Sequence, residues 1–112
     1  MDRKKELKEQ YKQMKTDMGI YVVRCNSNNK CYVGTAQNLK GRINSAKFSL
    51  GLGSHPNKEL QKEWKNFGEA NFTIDILDTL EYDKDETKTD YSEDLETLKE
   101  IWKEKLDNVK DL

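Results

Sequence analysis

Proline, histidine, cysteine and apolar residues are all scarce in this chain. Its 112 residues include one Pro, one His and two Cys, and only 34% are apolar. Two cysteines cannot make a disulfide-stapled scaffold, so Cys25 and Cys31 are expected to be reduced thiols of a cytoplasmic protein. One His and two Cys cannot close a structural zinc site without carboxylates. No stretch approaches the ~20 apolar residues of a membrane span. The opening "MDRKKELKEQYKQMK" has no apolar run, so no secretory signal and no membrane contact are expected. The length allows one domain with one modest core.

Charge is abundant, and it is unevenly placed. Residues 19–66 hold eight basic and two acidic side chains, and residues 67–112 hold six basic and fifteen acidic, within a net charge of −1. A basic middle beside an acidic tail suits a polyanion site, although solvated faces produce the same pattern.

Leu7, Tyr11, Met14 and Met18 recur at helical spacing, so residues 2–17 read as a surface helix, an extension occupying 1–18 ahead of a domain at 19–107. Residues 19–25 and 30–35 have strand composition and flank the turn "NSNN". Pairing Cys25 with Lys30 sets Val23 opposite Tyr32 and Tyr21 opposite Gly34. Tyr21 and Tyr32 then share one face as diagonal neighbours, with Ile20, Val22 and Val33 on the other. The two cysteines point to opposite faces, which argues against a disulfide. Asn38 caps a helix over 38–50 with Leu39, Ile43, Ala46 and Leu50 as its stripe. A loop "GLGSHPN" leads to a helix over 57–67 carrying Leu60, Trp64 and Phe67. The alternation in 71–80 predicts a strand with Phe72, Ile74 and Ile76 inward. The acidic stretch 81–94 reads as a solvated, mobile loop. A last helix over 93–107 presents Leu95, Leu98, Trp102 and Leu106. The expectation is an α+β fold: a small three-stranded, mostly antiparallel sheet flanked by helices, with an extra N-terminal helix. Trp64, Trp102, Phe67 and Phe72 are expected in its core.

The triplets Gly19-Ile20-Tyr21 and Tyr32-Val33-Gly34, then "NLKGR" opening a helix, then "HPNKELQKEWKNFGEANFTIDIL", resemble the GIY-YIG nuclease family in order and spacing. The resemblance runs from Gly19 to about Leu80 and more weakly through the last helix. It implies a metal-dependent DNA endonuclease domain. Tyr21 and Tyr32 would project into one site, with Tyr21 a general base or proton relay for the attacking water. Arg42 would favour the phenolate and hold the scissile phosphate. His55 would contact substrate or move a proton. A divalent cation, Mg²⁺ or Mn²⁺, would be held by a Glu of the last helix.

Two positions depart from the family pattern. Ala46 stands where a His often follows the Arg by one helical turn. Lys99 stands where the metal-binding Glu is expected, three residues before Trp102. Lys99 lies about 70° from the centre of the apolar stripe, Glu96 about 130° and Glu100 about 170°. Glu96 is therefore the candidate metal ligand, in a weak or degenerate site. DNA binding is expected to be weak and not sequence-specific. The alternative is a non-catalytic module of the same fold that binds nucleic acid or a protein in regulation.

Overall fold

The computed structural model describes residues 16–85 and 87–112. The N-terminal helix expected over 2–17 lies outside them, save for residues 16 and 17, which are not helical. Met18 opens the first strand and is fully buried there.

The elements follow as β1 (Met18–Cys25), β2 (Cys31–Ala36), α1 (Leu39–Leu52), α2 (Lys58–Phe67), a 3₁₀ turn (Glu69–Asn71), β3 (Phe72–Leu80), α3 (Ser92–Lys105) and β4 (Val109–Asp111). The sheet has four strands rather than three, in the order β3-β1-β2-β4. β1 is antiparallel to both neighbours, whereas β4 runs parallel to β2. β4 escapes a sequence reading because three residues are too few to show alternation. Asn108 supplies the turn into it at φ 54°, a conformation Asn tolerates better than most residues.

The β1–β2 register is the expected one, with Tyr21 opposite Gly34 and Val23 opposite Tyr32. Asn29, at φ 59°, turns the connecting loop, and Asn28 Oδ1 accepts from the Lys30 amide at 3.0 Å. Alternation then sorts β1 and β2 into two cores. Tyr21, Val23, Cys25, Tyr32 and Ala36 pack with Leu39, Leu50, Leu60 and Phe72 beneath α1 and α2. Ile20, Val22, Cys31 and Val33 pack beneath Leu98, Trp102, Leu106 and Val109. Cys25 and Cys31 are both buried and free, one in each core.

Several expectations fail for identifiable reasons. The β1–β3 pairing slips between Ile20 and Tyr21, so that Tyr21 faces Ile76 and Ile20 faces Asp78. This bulge turns Leu77 toward the second core. Ile76 is instead half exposed, because the helices cover this face of β3 only as far as Ile74. Phe67 ends α2 and is 40% exposed, while Trp64 stacks at 4.9 Å on Phe72. Trp102 is half-buried and donates Nε1–H to Asp78 Oδ2 at 3.0 Å. The acidic stretch 81–94 is pinned by its two tyrosines. Tyr91 is buried with Met18 and Leu95, meets Tyr82 edge-on at 5.4 Å, and accepts from the Asp83 amide through its hydroxyl. Among the described residues no helix is long and apolar enough to cross a membrane.

Two glycines are set by close approach. A Cβ on Gly19 would lie 2.0 Å from the Asp78 carbonyl oxygen on β3. A Cβ on Gly34 would lie 2.9 Å from the Tyr21 ring and hydroxyl, because that ring crosses over it. Gly19→Ala must push two backbones apart, and is expected to cost about 1–3 kcal/mol. Gly34→Ala should cost less and move the Tyr21 ring. Urea titrations measure the first difference, and Tyr21 ring resonances report the second. Equal stability of Gly19→Ala and the native chain contradicts the close packing.

Candidate active site

β4 pairs with Cys31, Tyr32 and Val33 and goes no further. The next stretch of the β2 edge, Gly34 and Thr35, is thereby left to line an open cleft of about 620 Å³. β1 contributes Tyr21; α1 contributes Arg42 and Ala46; the loop before α2 contributes His55; α3 contributes Glu96 and Lys99; β4 contributes Asp111. The cleft thus gathers Tyr21, Arg42, His55 and Glu96 from four separate elements. Tyr32 is not among its lining residues.

Tyr21 is 3% exposed, with its ring seated over Gly34. Burial raises its pKa above the ordinary phenol value, and the opposing effect of the Arg42 charge does not cancel it. Arg42 favours the phenolate, but burial outweighs it. Tyr21 keeps its proton and can accept a hydrogen bond from water while donating its own.

Arg42 stands in the first turn of α1, where Asn38 caps the helix by accepting from the Gly41 amide at 3.0 Å. It is exposed, and its guanidinium has no hydrogen-bonding or ion-pair partner among the described residues. α1 has no acidic residue at all, so nothing on its own helix neutralises Arg42. A planar five-donor cation in that state suits a phosphate.

His55 is held in a fixed pose. Its backbone amide donates to Gln61 Oε1 at 3.0 Å, and Gln61 Nε2 donates to the Leu50 carbonyl at 3.1 Å, so one side chain brackets the loop between α1 and α2. His55 Nδ1 accepts from the Asn57 amide at 3.0 Å, which places the proton of the neutral ring on Nε2. Burial lowers its pKa, favouring that neutral donor form.

Tyr32 shares a sheet face with Tyr21 but is fully buried, and its hydroxyl donates to Glu63 Oε2 on α2 at 2.9 Å. Burial first, and then Glu63, push its pKa well above the ordinary value. Glu63 also accepts from Lys30 Nζ at 2.9 Å, and Lys30 bridges on to Glu59, which pairs with Lys110 on β4. Glu63 was not singled out from the sequence, since nothing local marks it as the partner of a tyrosine thirty-one residues earlier.

Glu96 is exposed, and its carboxylate is paired with Lys99 at 3.0 Å. Lys99 is mostly buried and also reaches Asp111 Oδ1 at 3.1 Å; the other Asp111 oxygen pairs with Lys103 at 3.0 Å. Burial disfavours the Lys99 ammonium, but its bonds to Glu96 and Asp111 outweigh this and raise its pKa. The donor set does not fit a divalent cation as it stands. Both cleft carboxylates are already held by an ammonium, and among the described residues no three His, Cys, Asp or Glu converge as a metal site. Asp111 escaped the sequence reading because its strand did.

The family profile described as the GIY-YIG catalytic domain matches residues 17–97. The chain belongs to the GIY-YIG family, and its fold and paired triplets are those of a GIY-YIG nuclease domain. One curated relative is Intron-associated endonuclease 1 of Enterobacteria phage T4, 34% identical over 67 residues that cover 60% of this chain and 27% of the relative. The match thus spans about a quarter of that relative's length. Among solved structures, the catalytic domain of homing endonuclease I-TevI aligns with a TM-score of 0.67 at 24% identity, over 85% of this chain and 97% of that one, a likeness of fold. A variant of the same catalytic domain aligns at 0.54 with 33% identity, over 62% and 71%.

Both site-face tyrosines have raised folded-state pKa values, while unfolded tyrosines ionise near ~10. Their protonated forms therefore contribute stability that is complete below that pH and is lost as pH rises through the folded values. Stability should fall with a limiting slope of about 1.4 kcal/mol per pH unit for each tyrosine. Urea melts from pH 8 to 11, read alongside phenolate absorbance, test this. Tyr32→Phe should remove one tyrosine's share of the slope.

Proposed function

We propose that this domain is a DNA endonuclease that hydrolyses phosphodiester bonds in the cleft between Tyr21 and Arg42. The observation that carries this reading is an Arg42 guanidinium, without a hydrogen-bond or ion-pair partner among the described residues, that lines the same open cleft as Tyr21 and acts on it electrostatically. Hydrolysis needs a placed water, an anchored phosphate and charge stabilisation as the extra negative charge develops. Arg42 binds two phosphate oxygens through its donor fork. Tyr21 Oη accepts a hydrogen bond from the attacking water and takes up its proton while passing its own phenolic proton to solvent water, since burial keeps the phenol protonated. His55 Nε2–H donates to a phosphate or leaving oxygen, its direction set by the Nδ1 bond to Asn57. Water's oxygen bonds to phosphorus as the P–O bond to the leaving sugar breaks, and the leaving oxygen takes the bonding pair and then a proton from solvent water. Tyr32 acts from beneath, as the buried, Glu63-tied neighbour that holds the β1–β2 face in place.

The substrate class is DNA, held weakly and without sequence readout, because Arg42 and the lysines of α1 offer phosphate contacts while the acidic C-terminal third opposes a polyanion. Buried free thiols at Cys25 and Cys31 suit the reducing cytoplasm. With Lys99 in place of a cleft carboxylate, cleavage should be slow.

Two measurements test this reading. Arg42→Ala should lower plasmid or short-duplex cleavage by about 10²–10³-fold. It should also weaken duplex binding and reduce the log-log salt slope by about one. If the native domain cuts no form of DNA in any buffer, with or without divalent ions, yet binds it with that slope, a binding module of the same fold replaces the nuclease reading.

A further inference from the structure

We infer that the Lys99 ammonium is a tethered cation that stands where a divalent ion would, donating from the cleft wall to a phosphodiester oxygen. The inference uses the nuclease reading only for the kind of anion involved. An ammonium has three N–H donors. At Lys99 the Glu96 carboxylate engages them through both of its oxygens, at 3.0 and 3.2 Å, and Asp111 Oδ1 at 3.1 Å. Release of the exposed Glu96 carboxylate frees a donor for the cleft that Lys99 lines, where 13% of its side chain remains exposed. A positive centre held by carboxylates, one of them exchangeable for an anion, repeats the logic of a metal site with a single charge.

Each tie helps to place it. Lys99 lies beside the apolar stripe of α3, so its stem is packed rather than free to swing. Asp111 is held from both sides, with Lys103 on its second oxygen at 3.0 Å, and β4 anchors it against β2. Glu96 is the loose partner. Its carboxylate is 56% exposed and among the described residues is tied only to Lys99, so it can yield as an anion arrives. A divalent ion entering between the two carboxylates would meet this ammonium a few ångströms away, and Mg²⁺ further demands near-octahedral oxygen ligands. Arg42 supplies a second cation from α1 in the same cleft.

The test is NMR on the isotopically labelled full chain, with the dinucleotide dTpdT as the phosphodiester probe and MnCl₂ as the metal probe. Titrating dTpdT should move the Lys99 Nζ/Cε and Arg42 Nε resonances together and saturably. Lys99→Gln should weaken that binding about tenfold, and Lys99→Arg should retain it; amide spectra confirm that both are folded. Millimolar Mn²⁺ should produce no saturable broadening centred on Glu96 and Asp111 in the native chain, and should produce it in Lys99→Glu. The inference is overturned if Lys99 resonances stay still under dTpdT, whether or not Arg42 moves. Saturable Mn²⁺ broadening at Glu96 and Asp111 in the native chain, or none in Lys99→Glu, overturns it equally. DNA cleavage plays no part in these readouts, so a failure of the nuclease reading is separately visible.

Discussion

Two close approaches in the sheet hold the site together. At Gly19 the backbones of β1 and β3 touch where any side chain would collide, and at Gly34 the Tyr21 ring occupies the space a side chain on β2 would need. A slip by one residue would exchange the two faces of a strand. Here it would also place a Cβ beneath the tyrosine ring and send the side chains of each core into the other. The two glycines therefore act as steric keys, and the pose of the Tyr21 hydroxyl follows from them.

The central strand is covered on both faces, and that explains how so polar a chain folds. β1 buries seven of its eight residues, serving the core under α1 and α2 and the core under α3. A small set of apolar side chains is thus used twice, and hydrophobic burial concentrates where it stabilises most. The cleft forms at the margin of this arrangement. It opens where β4 stops short along β2, and there elements from both faces of the sheet can reach the same space.

Charge inside the cleft follows from the same packing. Arg42 is open to solvent because its helix has no acidic residue, whereas Lys99 is clasped because β4 brings Asp111 alongside α3. The other ion pairs lie mostly at the surface and carry small energetic weight. The exception is the tie from Tyr32 to Glu63 and Lys30, which ends in a buried hydroxyl that needs an acceptor. One tyrosine of the pair is consequently structural in its contacts, while the other faces the cleft.

The sequence alone determined the hairpin, its register, the cap at Asn38, and the helices of the domain, because each rests on spacing within a few residues. The shared face of Tyr21 and Tyr32, the opposite facing of Cys25 and Cys31, and the family resemblance were legible on the same grounds. Tertiary structure decided the rest. The bulge that exposes Ile76 depends on how β3 meets β1, and the anchoring of the acidic stretch depends on Tyr91 finding Met18 and Tyr82. The fourth strand needed an edge of β2 to pair with. The burial that keeps Tyr21 protonated beside Arg42, and the clasp of Lys99 by Glu96 and Asp111, arise between residues far apart in the chain. Local periodicity reports which way a side chain points from its own element; what it then touches is set by long-range packing, which no short window of sequence contains.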